Sequence, residues 1–270
     1  MSIITISRGT FSGGKTLAEC LAGDLGYRCV DRDVIVEKAA VSGVSQKELS
    51  DALQKAPSFL DRFGHKKYTY LTLIQAALAE EVKTGKVVYH GNAGHLLLKG
   101  GGPVLRVRII APMEFRISMA EERLKLSRGE AIAYIRKVDQ SRKKWTQYLY
   151  GVNWGDPALY DIVLNLEFFD IEEACQTIGG VVRRQRCFDY GPKCQAVMND
   201  FALACRVKAA LALNEATRHL EFEVDADGGA IAIRGRLTSP DEATAVQRVA
   251  LETPGVESVN LDELVSRTEA

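Results

Sequence analysis

Gly9-Thr10-Phe11-Ser12-Gly13-Gly14-Lys15-Thr16 is a complete Gly-x-x-x-x-Gly-Lys-[Ser/Thr] run, and its reading decides the fold. Each position has a physical task. The glycines let the backbone curl so that the amides of Gly9 through Thr16 turn inward on a phosphate chain. Lys15 then reaches the β and γ phosphates, and the Thr16 hydroxyl ligates magnesium. Such a loop needs a strand before it and a helix after it. Ile3-Ile4-Thr5-Ile6 supplies the strand, and Leu17, Cys20, Leu21 and Leu25 recur at helical spacing behind it. The helix opening near Lys15 adds its positive end. The expected ligands are therefore ATP and Mg2+.

Working outward, the chain alternates. A second strand is predicted at Tyr27–Asp31 and a helix from Val34 to Ala40. Ser45 with Glu48 sets a capping box for a helix carrying Leu49 and Leu53, and Leu71, Ile74, Leu78 and Val82 mark a longer one. Strands follow at Val87–His90 and Leu105–Ile110, around the glycine-rich stretch Gly91–Gly102. A charged helical block runs from about Glu114 to Tyr150, a last strand covers Ile162–Leu166, and Asp170 with Glu173 caps a closing helix. Five strands interleaved with helices predict an α/β fold with a doubly wound parallel sheet, whose ligands lie at the carboxyl ends of the strands. This domain is placed at residues 1–182. The texture changes at Arg183-Arg184-Gln185-Arg186, and residues 183–199 read as a linker. Residues 200–270 then give a small α+β pattern of order αββαβ. Its marks are the Gly228-Gly229 turn, the Ser239-Pro240-Asp241-Glu242 helix start and a final strand at Val256–Leu261.

Composition narrows the function. Thirty-five basic and thirty-five acidic residues cancel, so no overall field draws the chain to nucleic acid or an anionic membrane, and any phosphate site is local. The six cysteines form no Cys-x-x-Cys pair and histidine is rare, which leaves no zinc or redox spacing. Neither a leader nor an apolar run of roughly 18 residues is present, so a cytoplasmic protein is expected. The guanine-specifying Asn-Lys-x-Asp of a GTPase is also absent. His90 and His95 alone make an incomplete metal set. His65, Tyr68 and Tyr70 either line an acceptor pocket or begin a packed helix.

Over about residues 1–180 the chain resembles the cytidylate-kinase-like family of P-loop nucleoside monophosphate kinases. The resemblance is carried by the loop, by Gly26–Asp33, by Val87–Gly94 and by Ile135-Arg136-Lys137-Val138-Asp139-Gln140-Ser141-Arg142. It implies phosphoryl transfer, with Lys15 on the donor, Asp31 near the acceptor, and Arg136 and Arg142 closing a lid oriented by Asp139. Lys143 and Arg123 stand in reserve. Helical geometry groups these differently: at 100° per residue Arg136, Asp139 and Lys143 share a face, and Arg142 joins them only if the helix breaks. The family's Asp-Gly-Arg-Asp after the third strand is replaced by His90-Gly91-Asn92-Ala93. Three readings of function stay open: a nucleoside monophosphate kinase, a nucleotide-binding sensor with little transfer, and a kinase for another small metabolite. Asp161, before the last strand, reads as a turn residue.

Residues of about 200–267 are similar to the BON domain, on Val207–Leu211, Gly228–Gly235 and Thr253–Val259. These are structural residues with no chemical cluster, which implies a binding, regulatory or self-associating appendage.

Overall fold

The computed structural model describes residues 3–54, 66–91, 93–184, 191–239 and 241–266. Strands β1 (Ile3–Arg8), β2 (Arg28–Asp31), β3 (Val87–His90), β4 (Val104–Ile110) and β5 (Ile162–Asn165) form one parallel sheet in the order β2-β3-β1-β4-β5. The chain reverses direction of winding at β1, so the loop leaving β1 stands at the switch point where ligands of such sheets bind. Both faces of the sheet are covered, so the strand interiors are largely apolar, with Thr5, Ser7, His90 and Arg108 as buried polar exceptions. Ile4, Ile6, Val88, Val107 and Ile109 pack on α1 (Gly14–Leu25) and α8 (Ile171–Arg184). Ile3, Val87 and Tyr89 pack on the other side, against α2 (Arg32–Ala40), α3 (Gln46–Gln54) and α4 (Lys66–Val82).

Short local rules fix the helix ends. Asp170 and Glu173 exchange the two bonds of a capping box. A second box, Ser127 with Glu130, starts the long helix α7 (Arg128–Tyr150), which ends on Gly151 in the left-handed region at φ 65. No proline interrupts α7, and it runs unbroken from the end of α6 (Met113–Leu124) back to the core, where the Trp145 indole donates to the Ala52 carbonyl at 2.6 Å. Inside the glycine-rich stretch a short helix, α5 (Gly94–Leu97), takes the place of a plain loop.

The C-terminal unit consists of α9 (Pro192–Leu213), β6 (Phe222–Asp227), β7 (Ala230–Leu237), α10 (Asp241–Leu251), β8 (Ser258–Asn260) and β9 (Leu264–Ser266). It differs from expectation in two ways. Of residues 183–199, read as linker, Arg183 and Arg184 close α8, and 192–199 are the opening turns of α9, begun by Pro192 at a position where its missing N–H costs nothing. A further strand, β9, pairs with β7 beyond the expected αββαβ. Helix α9 lies along α4, and Ala76 and Ala79 meet Ala202 and Cys205 there, small residues that let the two backbones approach. The Tyr68 hydroxyl sits between the two units, accepting from the Phe222 amide and donating to the Phe222 carbonyl, both at 3.1 Å. Among the described residues no helix is long and apolar enough to cross a membrane.

Candidate active site

Backbone geometry makes the loop after β1 a receptor for anions. Gly13 caps α1 at φ 79 with no side-chain acceptor, and among the described residues the amides of Gly14, Lys15 and Thr16 bond to no protein group. Three orphan donors at a helix start form an anion site with a partial positive charge behind it. Only glycine fits at 14, because a Cβ there would lie 2.5 Å from Arg8 Cδ. Ser12 closes the curl, its hydroxyl donating to the Gly9 carbonyl at 3.0 Å. Phe11 takes φ 60 and packs its ring on Tyr134 of α7, centroids 6.0 Å apart.

Beside these amides is a cavity of about 320 Å3 lined by Arg8, Lys15, Asp31, Arg32, His90 and Arg142, among others. Arg8, Lys15, Arg32 and Arg142 bring four positive charges, while Asp31 and Asp33 bring two negative ones. The Arg32–Asp33 pair, at 2.8 Å, cancels within itself. Burial pulls the Arg142 guanidinium down to about 10 against the support of Asp139, and Arg8, Arg32 and Arg116 push the same way. Burial and the charges of Arg32 and Arg123 also lower Arg8. A phosphate group would relieve this crowding of cations.

Asp31 has two uses. Its Oδ1 caps α2 by accepting from the amides of Asp33 and Val34, both at 2.9 Å, and its side chain also borders the cavity. Lys15 is half exposed and 3.8 Å from Glu19, an arrangement that leaves the ammonium free to swing. Thr16 is exposed on the first turn of α1, with no protein partner for its hydroxyl among the described residues. That placement fits one protein ligand of a magnesium ion that takes its other oxygens from phosphates and water.

The two expected lid arginines are not brought together. Arg142 lines the phosphate cavity and donates to the Arg8 carbonyl at 3.1 Å. Arg136 lines a different cavity, with Asp139 and Lys143, because α7 does not break and the 100° rule keeps it on the far side. Asp139 accordingly orients Arg142, at 3.8 Å, and a residue the sequence did not single out, Arg116, with which it is ion-paired. Arg116 also donates to the Thr10 carbonyl at 2.8 Å. Arg8 was likewise missed: one arginine closing an apolar strand has no periodicity to flag it. Arg123 stays exposed on α6 and reaches the site only through its field on Arg8.

The other candidates fall elsewhere. Tyr68 serves the contact with β6, Tyr70 donates to Glu48 at 2.9 Å, and His65 and Asn92 lie outside the described residues. Asp161 binds Arg106 through its amide and guanidinium. His90 reaches the phosphate cavity, and burial draws its imidazole down to about 4, so it is neutral at pH 7. His95 is also held near 4 by burial and by Arg106 and Arg108, and neither ring nitrogen has a hydrogen-bond partner among the described residues.

Comparison with known proteins gives the family and the fold. Residues 3–167 match the cytidylate kinase-like family, and residues 199–266 match the BON domain. A cytidylate kinase of Ignicoccus hospitalis is 28% identical over 181 residues, which cover 66% of this chain and 97% of that one. A cytidylate kinase of Methanocaldococcus jannaschii is 26% identical over 182 residues, 67% of this chain and 97% of that one. Among solved structures, an uncharacterized protein from Eubacterium ventriosum superposes with a TM-score of 0.55 at 18% identity, over 68% of this chain and all of its own. That last likeness shares the fold.

Proposed function

Since the chain belongs to the cytidylate kinase-like family, we propose that it transfers the γ-phosphoryl group of ATP to a small acceptor, with a nucleoside monophosphate as the acceptor class. The observation that carries this reading is the convergence of three unpartnered amides at Gly14–Thr16 with an excess of positive charge from Arg8, Lys15 and Arg142. Phosphoryl transfer asks little covalent chemistry of a protein; it asks for cations fixed where charge spreads over the equatorial oxygens.

The roles follow from position. Amides 14–16 and Lys15 hold the donor's β and γ phosphates. Arg142, fixed by Asp139 and by the Arg8 carbonyl, stabilises the transferring group. Thr16 would hold Mg2+, which offsets charge on the phosphate oxygens when bound. Asp31, with its Oδ1 engaged by the α2 cap, orients the acceptor from the far wall. An acceptor phosphate oxygen is already ionised at neutral pH, so no general base is required.

The neutral His90, standing where the family carries an acid, with Asn92 in place of the arginine, favours a second reading in which ATP binding is retained and transfer is slow. One screen separates the readings. ATP and Mg2+ are incubated with each nucleoside monophosphate and with a panel of small hydroxylated metabolites, and ADP is measured. Turnover with a nucleoside monophosphate supports the proposal, and turnover with metabolites alone moves the acceptor class. ATP binding without product from any of them establishes a sensor.

A further inference from the structure

We propose that the chain carries a second anion site, separate from the phosphate loop, which takes a small phosphate-bearing molecule in the cavity between α7 and β4. This cavity holds about 780 Å3, and its wall includes Arg108, Arg136, Lys137, Lys143, Asp139 and Trp154. Three of the four cations sit on exposed turns of α7, and alone they would be an ordinary solvated face. Arg108 is what sets the place apart. It projects from the middle of β4, is only 9% exposed, and has its guanidinium 4.2 Å from the centre of the Trp154 ring. Its hydrogen bonds go to neutral oxygens, the Trp154 carbonyl at 2.7 Å and the Tyr160 hydroxyl at 3.2 Å.

Among the described residues no carboxylate forms an ion pair with Arg108, Arg136, Lys137 or Lys143. The one acid in the wall, Asp139, is already shared by Arg116 and Arg142 on its other side. A buried guanidinium without a counter-ion is costly, and the cost falls when an anion enters. Four cations against one engaged carboxylate suit a dianionic phosphoryl group better than a single carboxylate, and the guanidinium fork of Arg136 matches phosphate geometry. None of these four cations lines the cavity beside the loop amides, so the site is distinct from that of the proposed transfer.

The test uses the full-length protein and inorganic phosphate as probe, with chloride at equal ionic strength as control. The chain has two tryptophans; Trp145 is buried against α3, so Trp154, stacked on Arg108, reports on the cavity. Phosphate should change tryptophan fluorescence in wild type and in Lys15→Ala with the same midpoint. In the double variant Arg136→Gln/Lys143→Gln, both exposed positions, the midpoint should weaken at least tenfold, and Arg136→Lys, which keeps the charge but loses the fork, should weaken it by less. An unchanged midpoint in the double variant, loss of the response in Lys15→Ala, or no response beyond that of chloride would each overturn the proposal.

Discussion

Asp139 latches helix α7 onto the phosphate loop: its Oδ1 accepts from the Thr10 amide at 3.1 Å and from the Thr10 hydroxyl at 2.8 Å, while its Oδ2 pairs with Arg116. One carboxylate thus ties three segments far apart in sequence. Removing it leaves Arg116 and Arg142, both largely buried, without their acid. Asp139→Ala should therefore lose on the order of 3 kcal/mol of stability, read as a lower urea midpoint. A midpoint within error of wild type would mean the latch is not closed in solution.

The split of the two arginines is testable by turnover. Arg142 stands in the phosphate cavity and Arg136 does not. Arg142→Ala should lower kcat by about a hundredfold, the scale of one lost transition-state donor, and Arg136→Ala by less than tenfold. Equal losses would show that α7 rotates or breaks during the reaction.

That split also shows how far the sequence could be read. The loop motif, its flanking strand and helix, and the parallel sheet were legible because each has a fixed spacing. The helical angle of α7 was legible too, and it separated Arg136 from Arg142 where family resemblance joined them. Arg8 and Arg116 were not legible, since their roles come from strand β1 and helix α6 meeting across the sheet end. The short helix α5 hid behind glycines, with Ala93 at φ 57 opening it in a conformation that sequence patterns disfavour. Strand β9 spans three residues, too few to display an alternation.

Two buried histidines set an acid limit. His90 and His95 are drawn to about 4, below the usual 6.5, so the unfolded chain takes up their protons first as pH falls. Stability present above pH 6.5 should be lost progressively down to about 4 and level off there. His95→Phe removes one share while keeping the ring against Tyr160. Urea midpoints at pH 7.5 and 5 should converge in this variant, and an undiminished drop would assign the acid sensitivity elsewhere.

Tyr68 joins the two units through both backbone groups of Phe222. Tyr68→Phe leaves that partly buried N–H and carbonyl without their partner, a cost of about 1 to 3 kcal/mol. Hydrogen exchange at the Phe222 amide should accelerate accordingly. Unchanged protection would show that the contact between α4 and β6 is not maintained.

The central claim is that Gly9–Thr16 holds the donor of a phosphoryl transfer, and the direct measurement is ADP formation from ATP and Mg2+ with the acceptor found in the screen, wild type against Lys15→Ala. Lys15 is half exposed and supports no core contact, so the variant should keep its circular dichroism and melting profile while turnover falls at least about a hundredfold. Full turnover in a folded Lys15→Ala protein would contradict the account.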